Sequence, residues 1–295
     1  MSGNPQSLKE KSSETAGFVT YFRACSHKEK NTSIRGPDYL AKEFHIGSAR
    51  FKLKLSKLLL PILKKVIPGT YEWVAARTFF FDEQFKRALE SNYDQIVILG
   101  AGFDSRAYRF SDHIQNTAIY EVDTEATQNQ KKAILAEIKT SLPETLRFVP
   151  VDFNEEKLSK LFEYGFAENK KNLFIWEGVT EYLTEEAVDK TLKFIKQNSA
   201  SGSEIAFTYV YKEILEGDYH YYGAEEIVNM VSKKGEPYTF GIAEGQITDF
   251  LSDRGLKLVV NYTPKDLEQK YLTDDKGKVF GRISEHQCVV LSEAC

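Results

Sequence analysis

The chain has 295 residues, of which 42% are hydrophobic and 13% aromatic, so it can bury the core of one large α/β domain. Its net charge of −4 and pI near 5.9 give no electrostatic reason to expect nucleic acid or a membrane as a partner. A small-molecule ligand is the expectation that remains.

The N-terminal residues 1–16 are rich in Ser, Lys, Glu and Gln, and we expect them to be poorly ordered. They lack the apolar core of a signal peptide, and no apolar run reaches the ~20 residues of a membrane span. Cys25, Cys288 and Cys295 are odd in number and far apart, so neither a disulfide framework nor a metal site is indicated. These features predict a cytoplasmic protein.

A broken pattern follows to residue 44, and it contains His27. This histidine could contact a substrate, although a half-exposed, solvated side chain is the simpler interpretation.

Residues 51–66 form a basic amphipathic pattern with a helical period, interrupted by Pro61. The apolar positions are Phe51, Leu55, Leu58, Leu59, Ile62, Leu63 and Val66. We expect a cap helix that packs this face over the core and leaves its lysines in solvent. The alternative is a helix that lies on a membrane surface.

The next helix, residues 71–90, is expected to bury Arg77 in the middle of its apolar face. A buried guanidinium needs a carboxylate partner. That partner is either an acid of this chain or the carboxylate of a ligand, and the sequence leaves both open.

The most informative stretch is an apolar strand, residues 95–99, that ends in Gly100-Ala101-Gly102. Such a turn lets the backbone approach a nucleotide, but Ser105 stands where a dinucleotide site needs its third glycine. A second strand ends in Asp123, 21 residues after Gly102, where a carboxylate can accept both hydroxyls of a ribose. Adenosine without pyrophosphate points to S-adenosylmethionine as the cofactor.

The helix that opens after this turn is expected to be capped by Asp104, and its arginines Arg106 and Arg109 are interpreted as surface or structural residues.

Two further strand ends carry acids. Residues 146–153 end in Asp152-Phe153, which suits an adenine, although Asp152 could equally cap the next helix. Residues 173–179 carry a single charge, Glu177, near the carboxyl end, where open α/β sheets bind ligands. Alternation with helices predicts one doubly wound sheet, closed by strands at 204–211, 256–262 and 287–291. An aromatic-rich irregular segment, residues 212–241, is predicted to form a lid.

Read together, these motifs resemble the leucine carboxyl methyltransferase family, and its bacterial polyketide-type O-methyltransferase branch most closely. The resemblance covers about residues 20–290 and is carried by Ala75-Ala76-Arg77-Thr78, the GAGFDSRAYRF segment that starts at Gly100, Glu121-Val122-Asp123, Val151-Asp152-Phe153 and the segment from Glu177 to Leu183.

The resemblance implies an α/β fold: a doubly wound, seven-stranded, Rossmann-like methyltransferase sheet with a helical N-terminal cap (residues 17–92), a catalytic sheet (93–295) and a lid insertion. It also implies a role for each matching position. Arg77 would hold the methionine carboxylate, Gly100 and Gly102 would pass under the methionine, Asp123 would bind the ribose, Asp152 and Phe153 the adenine, and Glu177 the amino or sulfonium end.

The implied reaction is methyl transfer from S-adenosyl-L-methionine to a carboxylate or hydroxyl oxygen of a small molecule. A carboxylate needs no base, whereas a hydroxyl would need one, for which Tyr211, His220 and His27 are the candidates. Three alternatives stay open: a protein C-terminal carboxyl methyltransferase, a nicotinamide-dependent reductase, and a cofactor-binding module without catalysis.

Overall fold

Seven strands form one mixed sheet in the computed structural model, which describes residues 14–45, 48–153 and 156–294. The strands are β1 (Gln95–Leu99), β2 (Ala118–Asp123), β3 (Leu146–Pro150), β4 (Asn172–Trp176), β5 (Glu204–Val210), β6 (Leu256–Tyr262) and β7 (Gln287–Ala294). Their order is β3-β2-β1-β4-β5-β7-β6. The first five are parallel, and β7 is antiparallel to both of its neighbours.

Helices flank the sheet and build the N-terminal cap. They are α1 (Glu14–Ser26), α2 (Ser48–Lys54), α3 (Ser56–Val66), α4 (Thr70–Glu90), α5 (Arg106–Arg109), α6 (Glu125–Glu137), α7 (Glu185–Gln197), α8 (Ala224–Lys233), α9 (Ile247–Ser252) and α10 (Pro264–Tyr271). Helices α1 to α4 precede the sheet, as the cap prediction requires. The predicted α/β fold is therefore confirmed.

The chain winds outward from β1 to β3 and then crosses β1 to start β4 on its other side. This reversal is a topological switch point, and the carboxyl ends of the two strands open a crevice there. Every residue of β1 and β4 is buried, which explains their continuous apolar sequences. The switch point thus lies between the loops that carry Gly100 and Glu177.

Three sequence predictions need correction in detail. Helix α1 begins at Glu14, inside the segment expected to be disordered, and residues 1–13 lie outside the described part of the chain. The segment 212–241 is not irregular, since it contains a short 3-10 helix and all of α8. Pro61 lies inside α3, and the interruption falls at Leu55 instead.

The apolar face of α2 and α3 was also predicted wrongly. The residues that face the domain are Leu53, Ser56 and Ile67, which are buried, together with the half-buried Leu60 and Leu63. Most of the face chosen from sequence is in solvent. Two apolar stripes run along this segment, and only the packing of the whole domain decides between them. Among the described residues, no helix is long and apolar enough to cross a membrane.

Candidate functional site

A cavity of about 510 Å³ opens at the carboxyl ends of β1, β2 and β4. Its floor comes from the loops after these strands, one wall from α1 and α4, and its roof from the segment after α8. The lining residues that matter below are Arg23, Arg77, Gly100, Gly102, Asp123, Phe153, Glu177, Tyr182 and Glu236.

The glycine turn after β1 is held in a conformation that few other residues adopt. Gly100 and Gly102 have φ of +66° and +42°. A Cβ on Gly100 would also collide with the side chain of Val179, in the loop after β4. The two glycines therefore bring bare backbone to the cavity floor.

Asp123 lies at the end of β2 and closes onto this turn. Its Oδ2 accepts the N–H of Gly102 at 2.6 Å, and its Oδ1 accepts the N–H of Thr124 at 2.7 Å. Burial raises the pKa of Asp123, and the two N–H groups partly oppose that shift. The carboxylate is thus fixed by backbone donors at the edge of the cavity, and its ribose role stays a prediction.

Arg77 points from α4 towards Glu177, and the Nε to Oε1 distance is 3.1 Å. The other oxygen of Glu177 lies 2.8 Å from Nη1 of Arg106. Of the two partners that the sequence left open for Arg77, the structure therefore shows an internal acid. By hydrogen-bond geometry, however, the buried Nε of Arg77 has no partner in the described part of the chain, and the terminal nitrogens Nη1 and Nη2 lie beside Gly178.

Arg106 and Arg109 are buried rather than at the surface, so only the structural half of their interpretation holds. Arg106 also pairs with Asp104 at 2.5 Å and with Asp82 at 2.9 Å. Arg109 donates two hydrogen bonds to Asp82, of 2.6 and 2.7 Å. Burial alone would lower the pKa of Arg106, but Asp104, Glu177 and Asp82 together raise it.

These pairs form one buried network beneath the cavity. Asp38 extends it, 3.5 Å from Arg109 and 3.4 Å from Arg23. Its members are four arginines and four carboxylates: Arg23, Arg77, Arg106 and Arg109 with Asp38, Asp82, Asp104 and Glu177. Asp104 in addition accepts the N–H of Arg106 at 2.7 Å, but the N-cap position itself is Ser105, one residue later than predicted.

The structure separates the two residues predicted for the adenine. Phe153 lines the cavity and stacks on Trp176, with ring centroids 6.4 Å apart. Asp152 is not among the lining residues, and its backbone N–H donates to Oε2 of Glu156 at 2.8 Å. The aromatic wall fits an adenine, whereas Asp152 belongs to the turn that follows β3.

Only the last part of the predicted lid covers the cavity. Gly235, Glu236, Pro237 and Thr239 line it, while Tyr219, Tyr221 and Tyr222 do not. Thr239 is fastened to the loop after β4, since its N–H donates to the carbonyl of Glu181 at 2.7 Å and its hydroxyl to that of Leu183 at 2.8 Å.

None of the three general-base candidates lines the cavity. Tyr211 is buried beside β7, where its hydroxyl accepts from Sγ of Cys288 at 3.3 Å, and burial raises its pKa. His220 is exposed and bonds Asp218 at 2.7 Å. His27 is half-buried, with Nδ1 2.9 Å from the carbonyl oxygen of Gly36. The geometry gives none of them access to a substrate in this cavity.

Sequence reasoning missed two polar side chains of the cavity. Arg23 on α1 donates to the carbonyl of Phe103 at 2.8 Å, and nothing in its local sequence marks it. Tyr182 packs edge-on against Tyr238. Burial raises the pKa of Tyr182 well above its usual value, and Tyr238, Glu181 and Glu236 add to the shift. Tyr182 could have been found, because it follows Glu177 within the same strand-end motif.

The leucine carboxyl methyltransferase family model matches residues 16–196, more than half of the chain. YktD of Bacillus subtilis (strain 168), provisionally named an S-adenosyl-L-methionine-dependent methyltransferase, is 25% identical over 290 residues, which cover 91% of this chain and 94% of YktD.

Two solved structures share the fold. One is a provisionally named methyltransferase from Thermobifida fusca, with a TM-score of 0.61, 13% identity and 99% of each chain covered. The other is magnesium protoporphyrin IX methyltransferase from Synechocystis with bound S-adenosylhomocysteine, with a TM-score of 0.50, 8% identity and 99% and 100% of the two chains covered. With the matching family model, these findings show that the chain belongs to the leucine carboxyl methyltransferase family and is an S-adenosyl-L-methionine-dependent methyltransferase.

Proposed function

We propose that the protein transfers a methyl group to a carboxylate oxygen of a small molecule. The observation that carries this proposal is the chemistry of the cavity wall: among the described residues that line it there is no histidine, lysine or cysteine. A carboxylate acceptor is already an anion at neutral pH and needs no base, whereas a hydroxyl has to lose a proton.

The acids of the cavity support the same choice. Glu177 lies between two arginines, Asp104 is paired with Arg106, and Asp123 accepts two backbone N–H groups. Each of these carboxylates is already engaged as a hydrogen-bond acceptor. Glu236, on the roof, is the acid to test as a base for a hydroxyl acceptor.

The residues present fit the methyl donor. The terminal nitrogens of Arg77 suit a ligand carboxylate, and Gly178 leaves them room, since a Cβ there would lie only 3.1 Å from each. Asp123 suits the ribose hydroxyls, and Phe153 an adenine face. When bound, S-adenosyl-L-methionine supplies a methyl group on a positively charged sulfur.

The protein's own contribution is placement. The glycine turn, Asp123 and Arg77 would fix the donor at three points, and the roof at residues 235–239 would keep water out of the cavity. Alignment of two reactants can supply about 7–11 kcal/mol of a barrier, which is enough that no acid or base catalyst is required. The donor fills much of a cavity of about 510 Å³, which leaves space for a small acceptor or for the end of a larger one.

The test is methyl transfer from radiolabelled S-adenosyl-L-methionine to matched acceptors that differ only in a carboxylate or a hydroxymethyl group. We expect label in the carboxylates and its release as volatile methanol under mild alkali, because methyl esters hydrolyse and methyl ethers do not. Label that resists alkali would contradict the proposal.

Two arms separate the alternatives. Glu236→Gln should leave turnover on a carboxylate acceptor unchanged within a few fold, whereas a hydroxyl acceptor activated by Glu236 would lose about 10²–10⁴-fold. Peptides with a free or an amidated C-terminus test the protein carboxyl alternative. If only the peptides with a free C-terminus are labelled and no small carboxylic acid is, the acceptor is a protein and not a small molecule.

A further inference from the structure

Helices α2 and α3 present an apolar stripe to solvent. Phe51, Leu55, Leu58, Ile62 and Val66 are 62, 39, 65, 52 and 58% exposed, and we call these five residues the α2–α3 stripe. They recur every three or four positions, which places them along one side of the helices. Of the twelve large hydrophobic side chains exposed in the described parts of the chain, five belong to this stripe.

The domain does not need the stripe for its own packing. The opposite side of the same helices buries Leu53, Ser56 and Ile67. Lys64 secures α3 to α4, because its Nζ lies 2.5 Å from a carboxylate oxygen of Glu72. The helices are therefore already anchored, and the stripe is free to contact something else.

Basic side chains surround the stripe. The segment from Arg50 to Val66 contains six basic residues and no acidic one, within a chain of net charge −4. Four of the six, Lys52, Lys54, Lys57 and Lys65, are exposed and form no ion pair with other described residues. The local charge is thus opposite in sign to that of the whole protein, which is why composition gave no indication of it.

We infer that the α2–α3 stripe lies on an anionic lipid surface. An amphipathic helix with an apolar side and flanking lysines rests in the plane of the headgroups, where the apolar side chains enter the acyl boundary and the lysine heads meet phosphates. The charge argues against a second copy as the occupant, because a two-fold symmetric contact would bring two sets of four unpaired lysines together.

The α2–α3 stripe is connected to the cavity through helix α1. Helix α1 packs against α2, and α1 lines the cavity with Ala16, Val19 and Arg23. A membrane under α2 and α3 would therefore lie on the cap side of the protein. The inference does not depend on which oxygen is methylated.

The test is sedimentation of the full chain with vesicles of equal parts phosphatidylglycerol and phosphatidylcholine, and with vesicles of phosphatidylcholine alone. We expect binding to the anionic vesicles, little to the neutral ones, and a loss of binding at high salt, which screens the lysines. The double variant L58E/I62E should weaken binding by at least about tenfold. Both positions are exposed, so the variant should fold.

A matched control introduces the same two negative charges at exposed apolar positions outside the stripe. Leu142 and Val279 are 44 and 43% exposed and lie outside the stripe, so L142E/V279E should bind vesicles as the parent does. Equal binding by L58E/I62E and the parent would overturn the inference. So would the absence of vesicle binding, whether the chain is then a monomer or forms a dimer in size-exclusion chromatography that L58E/I62E disrupts.

Discussion

The two halves of the sheet bury polar groups in different ways. At the carboxyl ends of the parallel strands β1 to β4 the buried arginines are paired with acids, as Arg106 with Asp104 and Arg109 with Asp82 at 2.6 Å. Beside the antiparallel strand β7, two buried titratable groups are neutral. Burial lowers the pKa of His286 to about 3 and raises that of Cys288 to about 11, so both stay uncharged.

The difference follows from where the strands end. Parallel strands bring their carboxyl ends to one edge, so the loops after β1, β2 and β4 gather their acids and arginines there. Strand β7 alone runs against its neighbours, so its carboxyl end and the residues before it lie at the opposite ends of the sheet from those of the parallel strands. Buried arginines and acids at the carboxyl ends of β1 to β4 therefore indicate the cavity, whereas the polar groups His286 and Cys288 belong to the core.

The largest effect that would test this comparison is the loss of Arg106. Arg106→Met leaves the buried carboxylates of Asp104 and Glu177 without the cation that they share. We therefore expect the free energy of unfolding to fall by about 3–5 kcal/mol. Urea unfolding measures it. Lys160→Met, which removes an exposed pair with Glu156, is the control and should cost less than about 1 kcal/mol. Equal effects of the two variants would mean that the buried network does not support the fold.

The pH dependence of stability gives the next effect. Burial raises the pKa of Glu121 from 4.5 to about 7, although Lys131 and Tyr108 oppose the shift. Between these values the folded chain holds a proton that the unfolded chain releases, so this contribution is full below pH 4.5 and declines as the pH rises to about 7, by about 3 kcal/mol at most. Urea midpoints across that range measure it. Glu121→Gln should remove this part of the slope, and an unchanged slope would contradict the assignment.

Arg77 should affect ligand binding more than stability. Arg77→Met leaves Glu177 with Arg106, so the apo protein should lose less stability than with Arg106→Met. Affinity for S-adenosylhomocysteine should fall by about 1.5–3 kcal/mol, since a hydrogen-bonded charge is lost. Calorimetry and thermal unfolding separate the two, with Arg77→Lys as the variant that keeps the charge but not the bidentate geometry. Unchanged affinity with a large loss of apo stability would make Arg77 purely structural.

Asp123→Ala should weaken S-adenosylhomocysteine binding by about 1–3 kcal/mol with little effect on folding. Because burial raises the pKa of Asp123, affinity in the parent should begin to fall at a higher pH than an ordinary aspartate would give, and this dependence should vanish in the variant. Titration calorimetry at several pH values measures both. Unfolding of the variant with normal affinity in the folded fraction would remove the ribose role.

The smallest effect belongs to the antiparallel half. Tyr211→Phe removes a buried hydroxyl whose one hydrogen bond within the described ranges is with Cys288, so turnover should stay within a few fold and stability should fall by only about 1 kcal/mol. A loss of turnover by 10²-fold or more at unchanged stability would restore Tyr211 as a general base and break the comparison.

The site residues that could be predicted from the sequence are those that stand directly at the end of a strand. Gly100, Asp123 and Glu177 each follow a recognisable apolar strand, and the shared edge of a parallel sheet brings them together. The ion pair of Arg106 with Glu177 joins residues 71 positions apart, and no periodicity reports such a contact. The same limit explains α2 and α3, where two apolar stripes compete and only long-range packing selects one.

The balanced network beneath the cavity also constrains how this sequence can change over evolutionary time. With four arginines and four carboxylates sharing partners, a mutation that removes one charge leaves an unbalanced set of largely buried ions. Neutral drift there would require exchanges of two residues at once, through an unstable single-mutant intermediate. New acceptor specificity is therefore expected to arise at the roof, residues 235–239, which contributes no member to this network.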